Sequence, residues 1–438
     1  MSGGLVIAAP ASGSGKTLVT LALLRHLARS GRRIASAKVG PDYIDPSFHA
    51  AASGAPCLNL DPWAMRAGTL AGLVATLEAG ADLVLCEGVM GLFDGIGGTM
   101  RGSTADLAAA TQWPVVLVVD ARGQAASVAA LLRGFSAHRR DVTLAGVILN
   151  RVGGARHAAA LTAAIAEHLP ELRVLGAVPR AEHLALPERH LGLVPAGEHA
   201  ALGAFLDRAA DHVAAALDID ALAALARPAR LAGPPVATAP PLGQRIAIAR
   251  DDAFAFLYPA WLDAWRRAGA DLAFFSPLAD EGPEAGADAV FLPGGYPELH
   301  AARLAGNRRF LDGLCAAAAR GAAIYGECGG YMALGEALID GTGKRHAMAG
   351  LLPLVTSFAA RRLHLGYRAL RLLGETPLGP PGAAFRGHEF HYASIVSEGP
   401  GDALFAAEDA AGTPLGSTGL RRGRICGAFA HLIDRAEA

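Results

Sequence analysis

One cysteine sits inside a glycine frame, Gly326-Glu327-Cys328-Gly329-Gly330, directly after the apolar run "AAIY" at 322–325. A strand that turns sharply into a helix through such a frame is a nucleophile elbow, here with sulfur where other hydrolases carry a hydroxyl. The frame predicts an exposed thiol whose ionisation is favoured by the N-terminus of the following helix. The loop "LPGGYPE" at 292–298 offers the backbone N–H groups of Gly294 and Gly295, beside that of Gly329, to an oxyanion. A thiol nucleophile needs a base. The candidates are His388 and His391 in "RGHEFHY" and His431 in "GAFAHLI", the last placed just after a short apolar run.

A second chemistry lies more than three hundred residues upstream. Gly13, Ser14, Gly15, Lys16 and Thr17 stand between the strand-like "LVIAAP" and the helical "TLVTLALLRHLARSG". Glycines there let backbone N–H groups turn toward phosphate oxygens, Lys16 neutralises phosphate charge, and Thr17 is placed to ligate Mg²⁺. Pro10 occupies the position where the usual phosphate-loop pattern begins with glycine. Two acidic clusters follow further strand-like runs: Lys38, Asp42 and Asp45 in "AKVGPDYIDPSFH", and Glu87 and Asp94 in "LVLCEGVMGLFDG". At the C-terminal edge of a parallel sheet these carboxylates would converge on the loop to complete a metal shell or handle substrate, while Lys38 meets an anion. The competing reading is turn chemistry, since Asp-Pro and Asp-Gly are common turn formers.

The elements needed to position these residues are legible as alternation. Short apolar runs ("LVIAAP", "RIASAKVG", "DLVLCEG", "PVVLVVDA", "AGVILN") are separated by segments of helical length, which predicts a parallel sheet built of βαβ units. The alternation fades after "VLGAVPR" at 174–180, and "PARLAGPPVATAPP" at 228–241 contains five prolines. A second series then opens with "RIAIARDDAF" and runs through "AAIYGECGG". The chain is therefore predicted to be α/β with two domains, 1–227 and 244–438, joined by a linker at 228–243.

Composition narrows the partners. The 438 residues include 39 Lys and Arg against 40 Asp and Glu, with no charged block to act as a footprint for nucleic acid or anionic membrane. Small molecules are the expected ligands. Five scattered cysteines without paired spacing disfavour a disulfide framework or a zinc site and fit a reducing cytoplasm. The start "MSGGLVIAAP" lacks the basic region of a signal peptide, and no run of about 18 uncharged apolar residues suggests a membrane span.

At these motifs the sequence resembles known families. The second half is similar to triad-type class I glutamine amidotransferases, and the first to the dethiobiotin-synthetase-like branch of phosphate-loop ATPases. Their fusion in this order, with "KVGPDYIDP", "EGVMGLFDG", "LPERHLGL", "LPGGYPE", "GECGGYMALG" and "RGHEFHY", resembles the corrin amidases that make cobyrinic or hydrogenobyrinic acid a,c-diamide. The resemblance implies an N-terminal ATP-dependent amide-ligase domain and a C-terminal amidotransferase domain. It implies that Cys328 attacks the glutamine amide with His431 as base, and that the released ammonia displaces phosphate from a ring carboxylate activated by ATP. It also implies Mg²⁺ on Thr17, Asp45 and Glu87, Lys38 toward phosphate or the substrate carboxylate, and Asn150 toward the adenine edge. Asp42, Tyr43 and Asp94 fall where corrin contact is implied. One departure stands out: many class I enzymes end their triad with a glutamate two residues after the histidine, where this chain has Ile433. A Cys328/His431 dyad follows, with Glu389 a weak substitute. The nearest alternative is cobyric acid synthase, which amidates other side chains of the ring. A nucleotide switch of the septum-site type is the alternative from another class, disfavoured by Ala11 where that branch carries a lysine. No motif reports on oligomeric state, and a homodimer stays open.

Overall fold

The computed structural model describes residues 2–184, 188–189, 192–193, 201–231 and 239–436. The chain divides into two compact units, Met1–Trp63 with Ala67–Val236, and Ala64–Arg66 with Ala237–Ala438. Much of "LPERHLGL" and of the proline-rich stretch lies outside the described residues.

The first unit is built on seven parallel strands: β1 (Gly4–Ala8), β2 (Ile34–Val39), β3 (Cys57–Leu60), β4 (Leu83–Glu87), β5 (Val115–Asp120), β6 (Leu144–Val152) and β7 (Arg173–Pro179). Their order is β3-β2-β4-β1-β5-β6-β7. Every residue of β1, β3 and β4 is buried, as expected for strands covered on both faces by crossover helices. The sequence alternation missed β3 and stopped at β7, which are the two edges of the sheet. Helix α1 (Lys16–Arg29) leaves the end of β1 through Gly15, whose φ of 90° is a left-handed conformation open to glycine at low cost. Helix α2 (Ile44–Ser53) leaves the end of β2, and the Asp42 carboxylate caps it by accepting from the N–H groups of Ile44 at 2.8 Å and Asp45 at 3.2 Å. Because β4 lies between β1 and β2, Glu87 is in register with both Ile7 and Lys38. The phosphate loop and both acidic clusters therefore share one sheet edge.

In the second unit a larger sheet begins with five parallel strands in the order Asp271–Phe275, Arg245–Ala249, Ala289–Leu292, Ala323–Glu327 and Ile425–Ala428. It continues antiparallel through Pro414–Arg422, Asp402–Asp409, His364–Leu372, Ala384–His391 and His431–Arg435. The alternation of apolar runs had pointed only to the parallel half. Phe254, Phe310, Tyr331 and Leu334, all essentially inaccessible, belong to the core over this parallel half.

Candidate active sites

In the first unit, Asn150 Nδ2 donates to the carbonyl of Ser14 at 2.9 Å, and Arg151 Nη1 donates to the carbonyl of Gly13 at 2.7 Å and to Asp120 Oδ2 at 2.6 Å. The strand ends thus brace the loop. A Cβ on Gly15 would lie 2.2 Å from Asn150 Nδ2, so the brace requires glycine there as much as the turn does. Asn150, expected at the adenine edge, has both ends of its amide on backbone, the second through the Arg151 N–H. A cavity of about 630 Å³ lies over the loop, lined by Gly13, Gly15, Lys16, Thr17, Asp42 and Asp45 and also by Arg122, Arg151 and Arg180. The arginines, unmarked by any sequence motif, bring cationic groups to a site shaped for phosphates.

The carboxylates converge beneath Lys16. Thr17 Oγ1 donates to Glu87 Oε1 at 2.6 Å, and Lys38 Nζ donates to the same oxygen at 2.8 Å and to Asp45 Oδ2 at 2.5 Å. Asp45 comes from the first turn of α2 rather than from a strand end. On its other side, Glu87 Oε2 lies 2.7 Å from His49 Nε2, and His49 Nδ1 lies 3.5 Å from Cys57 Sγ. Burial opposes charge on Lys38, but the carboxylates of Asp45 and Glu87 outweigh it and raise the ammonium above its ordinary value. Burial likewise opposes the Glu87 carboxylate, yet Lys38 and His49 hold it well below the usual range. Lys16 is shifted down, by burial first and then by Lys38. The Thr17 hydroxyl touches the Glu87 carboxylate, and the Lys38 ammonium bridges Glu87 to Asp45, so these three residues are grouped hard oxygen donors of the kind that Mg²⁺ takes.

The three proposed ring contacts are arranged differently from one another. Asp42, besides capping α2, is shifted up by burial and by neighbouring Asp45. Tyr43 is the residue that precedes α2 and is half-buried. Asp94 is exposed, and its Oδ2 accepts from the Gly91 N–H at 2.9 Å, so the structure shows a turn former at this position.

In the second unit the elbow is present and strained. Cys328 follows the strand Ala323–Glu327 with φ 47° and ψ −101°, unusual for a residue with a side chain. Its N–H donates to the carbonyl of Ala428 at 2.8 Å, which ties the turn to the neighbouring strand. A Cβ on Gly330 would lie 1.9 Å from the carbonyl oxygen of Leu292, and one on Gly294 would lie 2.2 Å from His431 Cε1. The glycines of both motifs therefore make room: Gly330 for the strand that bears the "PGG" loop, and Gly294 for the imidazole. The Gly295 N–H nitrogen lies 3.1 Å from where a Gly329 Cβ would stand, so two of the three expected oxyanion donors are neighbours.

Two expectations are reversed here. Cys328 is 3% exposed, not presented to solvent. Its thiol is pushed up rather than down, chiefly by burial and next by the charge of Glu298, with only the Gly329 N–H pulling the other way. The six-residue helix that follows, Gly329–Leu334, is too short and too buried for its terminus to overcome that.

Of the candidate bases, His431 opens the strand His431–Arg435 and is 2% exposed. His388 faces it in register from the neighbouring strand, and burial followed by the proximity of His431 drives the His388 value down to about 3. His391 stacks on Phe429 with ring centres 3.9 Å apart, and its Nδ1 lies 3.1 Å from the carbonyl of Ala393, which accepts from it. Glu389 Oε2 accepts from Arg368 Nε at 2.7 Å, and Glu389 Oε1 lies 3.8 Å from His391 Nε2. A carboxylate that the motifs did not flag lies beside His431: Glu327 Oε2 is 3.7 Å from its Nδ1.

Two family models cover most of the sequence: a CobQ/CobB/MinD/ParA nucleotide binding domain over residues 5–194 and a CobB/CobQ-like glutamine amidotransferase domain over residues 245–438. The chain is 58% identical over 435 residues to a hydrogenobyrinate a,c-diamide synthase of Brucella suis biovar 1 (strain 1330), covering 98% of each chain. The chain belongs to the hydrogenobyrinate a,c-diamide synthase family. A Sinorhizobium member of that name is 54% identical over 99% of each chain. Among solved structures, the septum site-determining protein MinD complexed with Mg-ADP from Pyrococcus horikoshii OT3 is 18% identical, covering 41% of this chain and 82% of that one at a TM-score of 0.29. That likeness is too slight to bear on function. Members of this family are glutamine-dependent ligases that use a nucleotide-binding domain, and both domains are on this chain. No helix among the described residues is long and apolar enough to cross a membrane.

Proposed function

We propose that this chain amidates the a and c acetate side chains of hydrogenobyrinic acid, the cobalt-free ring, in cobalamin biosynthesis, using ATP and glutamine. Support for the ring comes from the name borne by full-length relatives at 54 to 58% identity. The observation that carries the reading is the pair of built sites on one chain: the braced phosphate loop with its converging carboxylates, and the strained Cys328 elbow beside His431.

In the second unit Cys328 Sγ attacks the side-chain amide carbon of glutamine. His431 takes the thiol proton and returns it to the departing nitrogen, releasing ammonia. Gly294, Gly295 and Gly329 supply N–H groups to the oxyanion, and water then cleaves the thioester to glutamate. In the first unit the Gly13–Thr17 loop holds the ATP phosphates, with Lys16 and the three arginines balancing their charge. Asn150 holds the loop's shape and reads the adenine edge. Thr17, Asp45 and Glu87 would hold Mg²⁺, which neutralises charge on the β- and γ-phosphates. Lys38 keeps those carboxylates together and guides the ring carboxylate, whose oxygen attacks the γ-phosphorus and displaces ADP. Asp42, Tyr43 and Asp94 border the ring. Ammonia then attacks the acyl carbon and expels phosphate. The reaction is placed in the cytoplasm, with small molecules as partners and neither nucleic acid nor membrane. A homodimer is compatible with it.

The acyl phosphate is testable by isotope. With ring carboxylates labelled with ¹⁸O, each amidation should deliver one ¹⁸O to inorganic phosphate. Unlabelled phosphate alongside normal amide formation would remove the acyl phosphate from the reaction.

A further inference from the structure

The motif "GECGG" contains a second ionisable group besides its thiol, and the fold gives it a place. Glu327 is the last residue of the strand Ala323–Glu327, one position before Cys328, and is 3% exposed. Buried carboxylates are costly unless their oxygens are satisfied. Glu327 Oε1 accepts from the Tyr325 hydroxyl at 2.9 Å and from the N–H of Leu432 at 2.9 Å. The second of these bonds reaches 105 residues along the chain to the residue directly after His431. The other oxygen, Oε2, is 3.7 Å from His431 Nδ1. One end of the carboxylate is thus clamped to the backbone that carries the histidine, and the other lies by Nδ1 of its ring, leaving Nε2 to serve the thiol.

The position at which triad-type amidotransferases place an orienting glutamate is Ile433 in this chain, 1% exposed among apolar residues. Glu389 is taken by Arg368. We infer that Glu327 is the positioning residue for His431: the orienting carboxylate has moved from the strand that carries the histidine to the strand that carries the cysteine. The clamp fixes the ring's orientation. The carboxylate's charge stabilises the imidazolium formed when the remote nitrogen takes the thiol proton, as the buried aspartate does in serine hydrolases. A separation of 3.7 Å exceeds a hydrogen bond, and such contacts commonly tighten when substrate binds. Other charges face the same site from other elements: Glu298 and Glu389 act on the Cys328 thiol, and His388 lies across from His431.

The inference rests on the Cys328/His431 glutaminase, and the test separates the two. Glu327→Gln retains an oxygen acceptor for Tyr325 and Leu432, so a carboxylate with a purely structural role is replaced without consequence. It removes the negative charge and turns an amide toward His431. Glutamine-dependent turnover should fall roughly 10- to 100-fold in kcat, less than the about 10⁴-fold loss seen when a directly bonded orienting aspartate is replaced. KM for glutamine should stay within about threefold, and amidation with ammonium should be unchanged, which also reports that the enzyme is folded. Alkylation of Cys328 by a glutamine-like chloroketone should slow in parallel. If Glu327→Gln does not fold, Tyr325→Phe loosens the same carboxylate without altering charge and should lower glutamine-dependent kcat a few-fold at constant KM. Unchanged kcat in a folded Glu327→Gln, or in Tyr325→Phe when that variant must stand in, overturns the inference. Full glutamine-dependent activity in a Cys328→Ala control would instead overturn the glutaminase on which it rests.

Discussion

Lys38 and Glu87 are paired in register across β2 and β4, and the lysine ammonium donates to the glutamate oxygen that also receives the Thr17 hydroxyl. Both are buried, with Asp45 completing the group. The ammonium is what allows two carboxylates to stand close together before a metal ion arrives.

Replacing Lys38 by methionine keeps the stem and removes the charge. Breaking a buried pair from one side costs on the order of 3 to 5 kcal/mol, because the remaining charge is left without compensation. His49 and Thr17 still contact Glu87, so the lower part of that range, about 3 kcal/mol, is expected for the first unit. A thermal melt followed in the absence and presence of Mg²⁺ checks this. The variant should unfold at lower temperature and recover more on adding Mg²⁺ than the parent does, since the ion can replace the missing positive charge. Equal midpoints without metal would show that Lys38 does not balance these carboxylates.

The phosphate loop was legible in the sequence because its requirements are local. Gly13 and Gly15 adopt φ of 79° and 90°, and Lys16 and Thr17 must follow immediately. The central strands were legible because burial on both faces leaves continuous apolar runs. The antiparallel half of the second sheet was not: His364–Leu372 and Pro414–Arg422 mix exposed and buried positions without clean alternation, although Pro414–Arg422 pairs with the strands next to it in sequence. The glycine frame of Cys328 revealed the turn but not what covers it, so the sign of the thiol's shift came out opposite to expectation. Glu327 was hidden for a related reason. Its partner at His431 is adjacent only because the strands Ala323–Glu327 and Ile425–Ala428 pair, a long-range contact no motif encodes. The signal available was the glutamate itself, a charged residue at the end of a fully buried strand.

His388 makes the second unit acid-sensitive. Its folded value is lowered to about 3 from an ordinary 6.5, by burial first and then by His431. Between those values the unfolded chain binds a proton that the folded chain does not. Stability therefore rises with pH across that window and is lost as pH falls from 6.5 toward 3. His388→Phe keeps a ring against Tyr367, which His388 meets edge-on at 5.5 Å between ring centres, but cannot take the proton. The variant's acid unfolding midpoint should lie about half a pH unit lower than the parent's, read by near-ultraviolet circular dichroism during acid titration. A midpoint that moves up, or not at all, would place the acid lability in other groups.

Cys328 tests whether the two chemistries make one reaction. Its sulfur is buried and its thiol is shifted up in the free enzyme, so ionisation must accompany glutamine binding and proton transfer to His431. Cys328→Ala should lose glutaminase activity and glutamine-dependent amidation by at least about 10³-fold, the scale on which removal of a covalent nucleophile acts. It should still amidate the ring when ammonium is supplied at high pH, where free ammonia is abundant, because the phosphate loop and its carboxylates belong to the other unit. Alanine in place of a small buried thiol leaves little void, so folding should survive. His431→Ala should follow the same pattern less completely, since a thiol without its base keeps some nucleophilicity at alkaline pH. Lys16→Ala provides the mirror image, losing amidation with either nitrogen source while hydrolysing glutamine. Were Cys328→Ala folded yet inactive with ammonia, the first unit's chemistry would depend on an occupied thiol site, and ammonia delivery alone would no longer account for the link between them.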